Sequence, residues 1–327
     1  MGHVFISRAV PGRAVEHLQA AGHSVETWPG ELPPPPGALA ARLAAADAAF
    51  TTVVDLISPE MLAAASNLKV IANMAAGYDN VDPAAAAALG IWVANTPGVL
   101  AETTADMAWA LLMAAARNVV SSDRDTRAGG WKTWSPTAFL GVDVFGATLG
   151  IVGLGEIGEA VARRATGFKM RVLYHSRTRK PALEADLGLR YCSLSELLAK
   201  SDFVSLHTPL TAETRHLMGA AQFAAMKPTA ILVNTARGGV VDQDALVDAL
   251  RSGAIAGAAL DVTTPEPLPL DHPLFSFPNV VITPHIASAS LATRSRMAEM
   301  AAANIIAVLR GDPPLNPVNH PATPRHT

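Results

Sequence analysis

The 327-residue chain has one cysteine, Cys192, so no intrachain disulfide can form, and its setting ahead of a helical segment offers no metal or redox motif. Charge of one sign is scarce too: 25 Lys and Arg against 28 Asp and Glu leave a net charge of −3, which argues against non-specific nucleic-acid binding. Long apolar runs are missing. Half of the residues are hydrophobic, yet the Ala-rich stretches are interrupted by Glu, Asp, Arg or Pro before they reach membrane-spanning length. The first ten residues carry His3 and Arg8 and lack the apolar core and cleavage pattern of a secretory signal. The expectation is a cytoplasmic protein with no resident metal that binds neither nucleic acid nor membrane. Its length and apolar content are those of a globular chain with two domains.

What the chain does have is centred on residues 148–159, Thr-Leu-Gly-Ile-Val-Gly-Leu-Gly-Glu-Ile-Gly-Glu. The apolar run 149–152 reads as a buried strand, and a helical pattern continues through Ala160, Val161 and Ala165. Between them lies Gly153-x-Gly155-x-x-Gly158. In that setting Gly153 permits a tight turn, Gly155 lets the backbone approach a pyrophosphate, and Gly158 lets the helix pack against the strand. Unpaired N–H groups and the positive end of the helix dipole then face the phosphates. Leu154, Gly155, Glu156 and Ile157 are thus candidate dinucleotide contacts.

The rest of the chain alternates strands and helices. Segments 4–7, 48–54, 70–74 and 92–94 read as strands, with helices at 13–21, 59–65 and 83–89, an alternation that implies parallel pairing. The proline run 33–36 reads as a stiff surface connection. Residues 101–120 read as one long helix, apolar over too much of its circumference for a surface helix and hence buried between domains or against another subunit. The loop around Trp131 and Trp134 suits an interface or pocket wall, or a simple loop anchor. A second series follows, with strands at 149–152, 171–174, 203–206, 231–234, 258–260 and 280–282. Helices fall at 156–166, 194–200, 219–225 and 242–252. This is an α/β architecture: a doubly wound, Rossmann-type parallel sheet at 100–286, and a smaller domain made of 1–99 with 287–327. A last helix, 289–309, returns to the smaller domain, and the tail from Asp312 is expected to be ordered only in part.

Three segments carry candidate chemistry. Arg237 follows a strand beside two glycines, and its planar fork suits a carboxylate. Glu266 lies between Pro265 and Pro267, which aim it rigidly. His285 follows the last strand of the series. Each falls at a successive strand end on the cofactor side of one sheet, where ligands bind in such folds.

The ordered set of Gly153–Gly158, 234–238, 261–266 and 284–288 resembles the D-isomer-specific 2-hydroxyacid dehydrogenase family over nearly the whole chain. The residues Ser176-Arg177-Thr178-Arg179 and the Trp131/Trp134 loop bring it nearest to the glyoxylate/hydroxypyruvate reductases. The resemblance implies a flavodoxin-like smaller domain and a catalytic set of Arg237, Glu266 and His285. Arg237 would hold the carboxylate of a small 2-keto acid and polarise its carbonyl, with the N–H groups of Ala76 and Gly77 gripping the same carboxylate. His285 would give a proton to the developing alkoxide as hydride arrives, and Glu266 beside it would keep it protonated beforehand. Thr104, Thr208, Pro209, Thr235, Ala236, Asp261 and Ser288 fall at family cofactor positions, and His207 reads as support for the cofactor loop. The resemblance also implies a homodimer built around 101–120 and the tryptophan loop, with Trp134 reaching the neighbour's substrate pocket. A phosphoglycerate dehydrogenase and a nucleotide-sensing, corepressor-like scaffold remain open alternatives.

The cofactor loop bears on NADP against NAD. An NAD site usually carries an acid about 20 residues past the glycines, to bind the ribose 2′-hydroxyl. Here the segment reads Leu173-Tyr-His-Ser-Arg-Thr-Arg-Lys180, without an acid. Ser176, Arg177, Thr178 and Arg179 can instead meet a 2′-phosphate, so NADP is the preferred cofactor expected, with NAD still accepted.

Overall fold

A computed structural model describes residues 1–325 and divides the chain into two compact units, Met1–Leu100 with Ser288–Thr327 and Ala101–Ala287. In the first unit, strands β1 (His3–Ile6), β2 (Ser24–Thr27), β3 (Ala48–Thr51), β4 (Val70–Asn73) and β5 (Trp92–Ala94) form a parallel sheet ordered β2-β1-β3-β4-β5. This is the flavodoxin-like order. Alternation of side chains feeds two cores. Val4, Ile6, Phe50 and Val70 face the helix Leu291–Leu309, while Phe5, Ala49, Ile71 and Val93 meet helices on the other side.

The second unit carries β6 (Thr148–Val152), β7 (Arg171–His175), β8 (Arg190–Tyr191), β9 (Phe203–Leu206), β10 (Ile231–Asn234), β11 (Gly257–Leu260) and β12 (Val280–Ile282). All pair in parallel, in the order β12-β11-β10-β9-β6-β7-β8. The chain starts at β6, runs outward through β7 and β8, then returns across to β9. The sheet therefore reverses direction between β6 and β9, and that switch point is where α/β sheets open a crevice for ligands. Ile231 and Val233 face one core and Leu232 the other, as expected for a sheet covered on both sides.

Several expectations change. The helix expected over 101–120 ends at Ala116, because Asn118 adopts a left-handed backbone (φ 52°) and its side chain donates to the carbonyl of Leu140 at 3.0 Å. Asparagine tolerates that conformation better than most residues, and a separate helix, Val119–Arg127, follows. The breadth of apolar surface on Ala101–Ala116 is used inside its own unit. Ala105, Ala108, Trp109, Leu111 and Leu112 are buried with residues of β6, β10 and the helix Glu156–Ala165. The Trp109 indole N–H donates to the Val161 carbonyl at 3.1 Å, and Arg164 reaches Glu102 and Asp106 at 2.7 Å each. Burial of this helix thus needs no second subunit.

The proline run is only partly a connection, since Pro36 opens the helix Pro36–Ala45 at a position that needs no N–H donor. The tail beyond Asp312 is packed on the first unit as far as it is described. The Asn319 side chain accepts from the Val93 N–H at 2.8 Å and donates to the carbonyls of Pro83 (2.9 Å) and Ile91 (3.0 Å). Edge strand β2 (Ser-Val-Glu-Thr) and the two-residue β8 were not apparent in the sequence, since neither carries an apolar run. Among the described residues no helix is long and apolar enough to cross a membrane.

Candidate active site

The glycine turn between β6 and the helix Glu156–Ala165 is shaped as a dinucleotide requires. Gly153 sits at φ +96°, and a Cβ there would lie 2.8 Å from the His207 backbone. A Cβ on Gly158 would collide with the Gly153 carbonyl, so this glycine permits the helix to close on the strand end. Nothing lies within 4 Å of a Cβ built on Gly155, the helix N-cap, and no side chain caps the helix there. Leu154 is buried, while Glu156 and Ile157 begin the helix whose first N–H groups face this open space.

Across the switch point, Thr208 Oγ1 and Thr235 Oγ1 are buried without a hydrogen-bond partner among the described residues. Buried hydroxyls rarely stay unpaired, and the sugar and phosphate oxygens of a dinucleotide are suitable partners. Thr208 and Pro209 follow β9, and Thr235 and Ala236 follow β10. The donor set and the open cradle fit a nicotinamide dinucleotide. His207 Nε2 pairs with Ser205 Oγ at 2.8 Å, and burial pushes its pKa down to about 4. It is therefore neutral near pH 7 and suits loop support. Thr104 is buried on the helix Ala101–Ala116, and Ser288 is half-buried.

The three catalytic candidates follow β10, β11 and β12, adjacent parallel strands. Asn234 closes β10 and is fully buried; its amide donates to the Arg237 carbonyl at 2.9 Å and its Oδ1 accepts from the Ala236 N–H at 3.0 Å. This side chain sets the loop that presents Arg237, whose Nη1 also donates to the Ala236 carbonyl at 2.9 Å. Gly238 lies so close to the Thr263 carbonyl that any Cβ would collide with it, which brings the loop of Arg237 against the loop of Glu266.

Glu266 is held at one oxygen by the Thr263 N–H at 3.1 Å, and its other oxygen lies 2.8 Å from His285 Nδ1. A carboxylate accepts, so Nδ1 carries the hydrogen and Nε2 is left to face a ligand. His285 itself has φ 53°, and its N–H donates to the carbonyls of Asp261 (2.9 Å) and Thr283 (3.0 Å). Asp261, almost fully buried, binds the same loop through its carboxylate. It accepts from Thr283 Oγ1 at 2.6 Å, the Ile286 N–H at 2.9 Å and the Ala287 N–H at 2.7 Å. These three bonds hold the left-handed backbone of His285 in place. The sequence reading gives Asp261 a cofactor contact and misses this clamp. It also misses Gln243, whose amide brackets Thr264: Nε2 donates to its carbonyl at 2.8 Å and Oε1 accepts from its N–H at 3.0 Å. Only the position of Gln243, directly after the Arg-Gly-Gly-Val-Val-Asp run, hints at it.

In the first unit the loop after β4 holds Ala76 and Gly77. Asn95 Nδ2 takes the Ala76 carbonyl at 2.7 Å and Asn73 Nδ2 takes that of Gly77 at 3.1 Å. Among the described residues no acceptor meets their N–H groups. Trp134 is 79 % exposed.

One residue expected at the cofactor is engaged by a neighbouring side chain. Arg179 does not stand ready for a phosphate: its Nε and Nη2 pair with both oxygens of Glu184 at 2.8 and 2.7 Å. Ser176, Arg177 and Thr178 remain as the loop's candidates. No carboxylate forms an ion pair with Arg177 among the described residues.

A doubly wound sheet with an open glycine cradle at its switch point, and an arginine and a histidine–carboxylate pair at neighbouring strand ends, defines a nicotinamide-dependent dehydrogenase. The family model for the D-isomer specific 2-hydroxyacid dehydrogenase NAD-binding domain matches residues 109–287. A glyoxylate reductase of Korarchaeum cryptofilum is 53 % identical over 97 % of this chain and 95 % of its own. A protein of known structure from Thermus thermophilus is 52 % identical, with a TM-score of 0.91 over 97 % of this chain and 99 % of that one. The NADPH-dependent glyoxylate/hydroxypyruvate reductase of Sinorhizobium meliloti, solved with NADP and malonate, is 32 % identical, with a TM-score of 0.86 over 99 % of each chain. The chain belongs to the D-isomer specific 2-hydroxyacid dehydrogenase family.

Proposed function

We propose that the protein reduces a small 2-keto acid, glyoxylate or hydroxypyruvate, to the D-2-hydroxy acid, with NADPH as the preferred reductant. The observation that carries this reading is the 2.8 Å His285–Glu266 pair beside the Arg237 loop. The glyoxylate reductases about 50 % identical to this chain support the substrate class.

Arg237 binds the substrate carboxylate through its fork and draws charge from the adjacent carbonyl. Ala76 and Gly77 are proposed as further donors to that carboxylate, since their carbonyls are fixed by asparagines and their N–H groups are left to a ligand. The bound reduced nicotinamide supplies the hydride to the carbonyl carbon. As negative charge grows on the carbonyl oxygen, His285 Nε2 gives up its proton to it, and Glu266, bonded to Nδ1, holds the ring in the orientation for that transfer. Asp261 and Gln243 hold the two loops in register for this transfer. The test is the rate of NADPH oxidation with glyoxylate, hydroxypyruvate and pyruvate. Rapid turnover with the first two supports the proposal, whereas tight cofactor binding without turnover contradicts it and favours a sensing scaffold.

NADPH preference rests on Ser176, Arg177 and Thr178. A charge-assisted contact is worth about 1.5–3 kcal/mol, so Arg177→Ala should lower kcat/KM for NADPH about 10- to 100-fold. The value for NADH should change by less than about threefold, because the 2′-hydroxyl offers no such partner. Similar losses with both cofactors would remove Arg177 as the phosphate reader.

A homodimer is also proposed. Its support is the exposed apolar set Val119, Trp131, Trp134, Leu140 and Phe145 in one stretch of the second unit. The expected result in light scattering is twice the chain mass at assay concentration. A monomer would remove both the dimer and any role for Trp134 at a neighbour's substrate.

A further inference from the structure

The loop between β7 and the helix Pro181–Leu187 carries more basic residues than it offers to a ligand. Arg179 and Glu184 meet through two parallel bonds, the strongest geometry open to such a pair. Glu184 is anchored from a second side: the hydroxyl of fully buried Tyr174 donates to its Oε1 at 2.6 Å and accepts from the Lys180 N–H at 2.7 Å. The Glu184 side chain is only 15 % exposed, whereas that of Arg179 is 62 % exposed. The Arg179 guanidinium also lies 5.9 Å from the centre of the Tyr191 ring. Bonds from Arg179 and Tyr174 hold the Glu184 carboxyl down to about 2, so it is ionised at any working pH.

An acid is therefore present at the cofactor loop after all, displaced from the end of β7 into the following helix. At the end of β7 an acid would repel a 2′-phosphate directly. In its actual place its charge is spent on Arg179. A ribose 2′-phosphate carries close to two negative charges at neutral pH and can use more than one cation; of the three cations in this loop, Arg177 and Lys180 are exposed and Arg179 is restrained by Glu184.

We infer that Glu184 is a positioning residue for cofactor choice: by holding Arg179 it withholds a bidentate cation from the 2′-phosphate and so limits how strongly NADPH is favoured over NADH. This rests on the reading of Ser176–Thr178 as the 2′-phosphate loop.

The test is direct binding, by calorimetry, of NADPH, NADH, 2′-AMP and 5′-AMP to the whole protein and four variants. Glu184→Gln keeps an acceptor for the Tyr174 hydroxyl and removes the charge. It should tighten NADPH and 2′-AMP about 5- to 10-fold, the worth of one partly exposed charged contact. NADH and 5′-AMP should move by less than about twofold. A role in loop stability alone would weaken all four ligands together. Arg179→Ala in the unmodified background should leave the NADPH-to-NADH ratio within about twofold, since this side chain is engaged elsewhere. In the Glu184→Gln background the same change should abolish the gain. The inference is overturned if Glu184→Gln fails to raise the ratio, or if Arg179→Ala alone lowers it fivefold or more. Arg177→Ala keeps the two ideas apart. If it leaves the ratio unchanged while Glu184→Gln raises it, the phosphate reading of Arg177 fails and the restraint on Arg179 stands. If Arg177→Ala collapses the ratio while Glu184→Gln has no effect, the reverse holds.

Discussion

Replacing His285 with alanine should lower kcat for glyoxylate about 10²- to 10⁴-fold, the usual worth of a positioned general acid. The geometry leaves one ring nitrogen for the transfer. Nδ1 is committed to Glu266 at 2.8 Å, so only Nε2 can deliver a proton. The carbonyl of Asp261 and its carboxylate bonds to Thr283, Ile286 and Ala287 fix the loop that aims the ring. The cofactor cradle lies at the other strand ends, around Gly153–Gly158 and Thr208, and does not depend on the imidazole. NADPH affinity, measured by fluorescence titration, should stay within about threefold while single-turnover hydride transfer collapses. A rate within tenfold of the parent would show that another group supplies the proton.

Arg237 has the second large effect. Removing one donor that stabilises developing oxyanion charge typically costs about 10²- to 10³-fold, and Arg237 is asked both to do that and to bind the carboxylate. Arg237→Ala should therefore reduce kcat/KM at least about 100-fold, through both KM and kcat. Arg237→Lys should recover part of the KM effect and little of kcat, because an ammonium restores charge but not the two-point fork. Measuring KM and kcat separately for both variants decides it: small, equal changes would place the substrate carboxylate elsewhere.

How much of this was legible in the sequence depends on whether a feature is local. The cradle announces itself because strand, three glycines and helix are contiguous and each glycine answers a steric demand. Arg237, Glu266 and His285 could be picked out because each follows an apolar run that becomes a strand, and parallel pairing then sets the strand ends side by side. The bonds that shape the site are another matter. Asp261 reaches over 20 residues ahead to the His285 loop, and Gln243 reaches 21 residues to Thr264; no spacing rule encodes either. The capture of Arg179 by Glu184 was hidden for a different reason: the acid lies past a proline, in the next helix, where it reads as an ordinary first-turn carboxylate. The break at Asn118 left no apolar signal, since Val119 and Val120 extend the hydrophobic pattern across it. The Asn319 anchor lies in a proline-rich stretch whose composition alone suggests partial order.

The Arg237 loop and the His285–Glu266 pair should present one face of a bound 2-keto acid to the hydride, so that the D product forms. This is tested most directly by supplying hydroxypyruvate and NADPH to the purified protein and resolving the product by chiral chromatography. The expected result is NADPH consumed in equal amount to D-glycerate formed. Formation of L-glycerate, or no oxidation of NADPH or NADH, would contradict it.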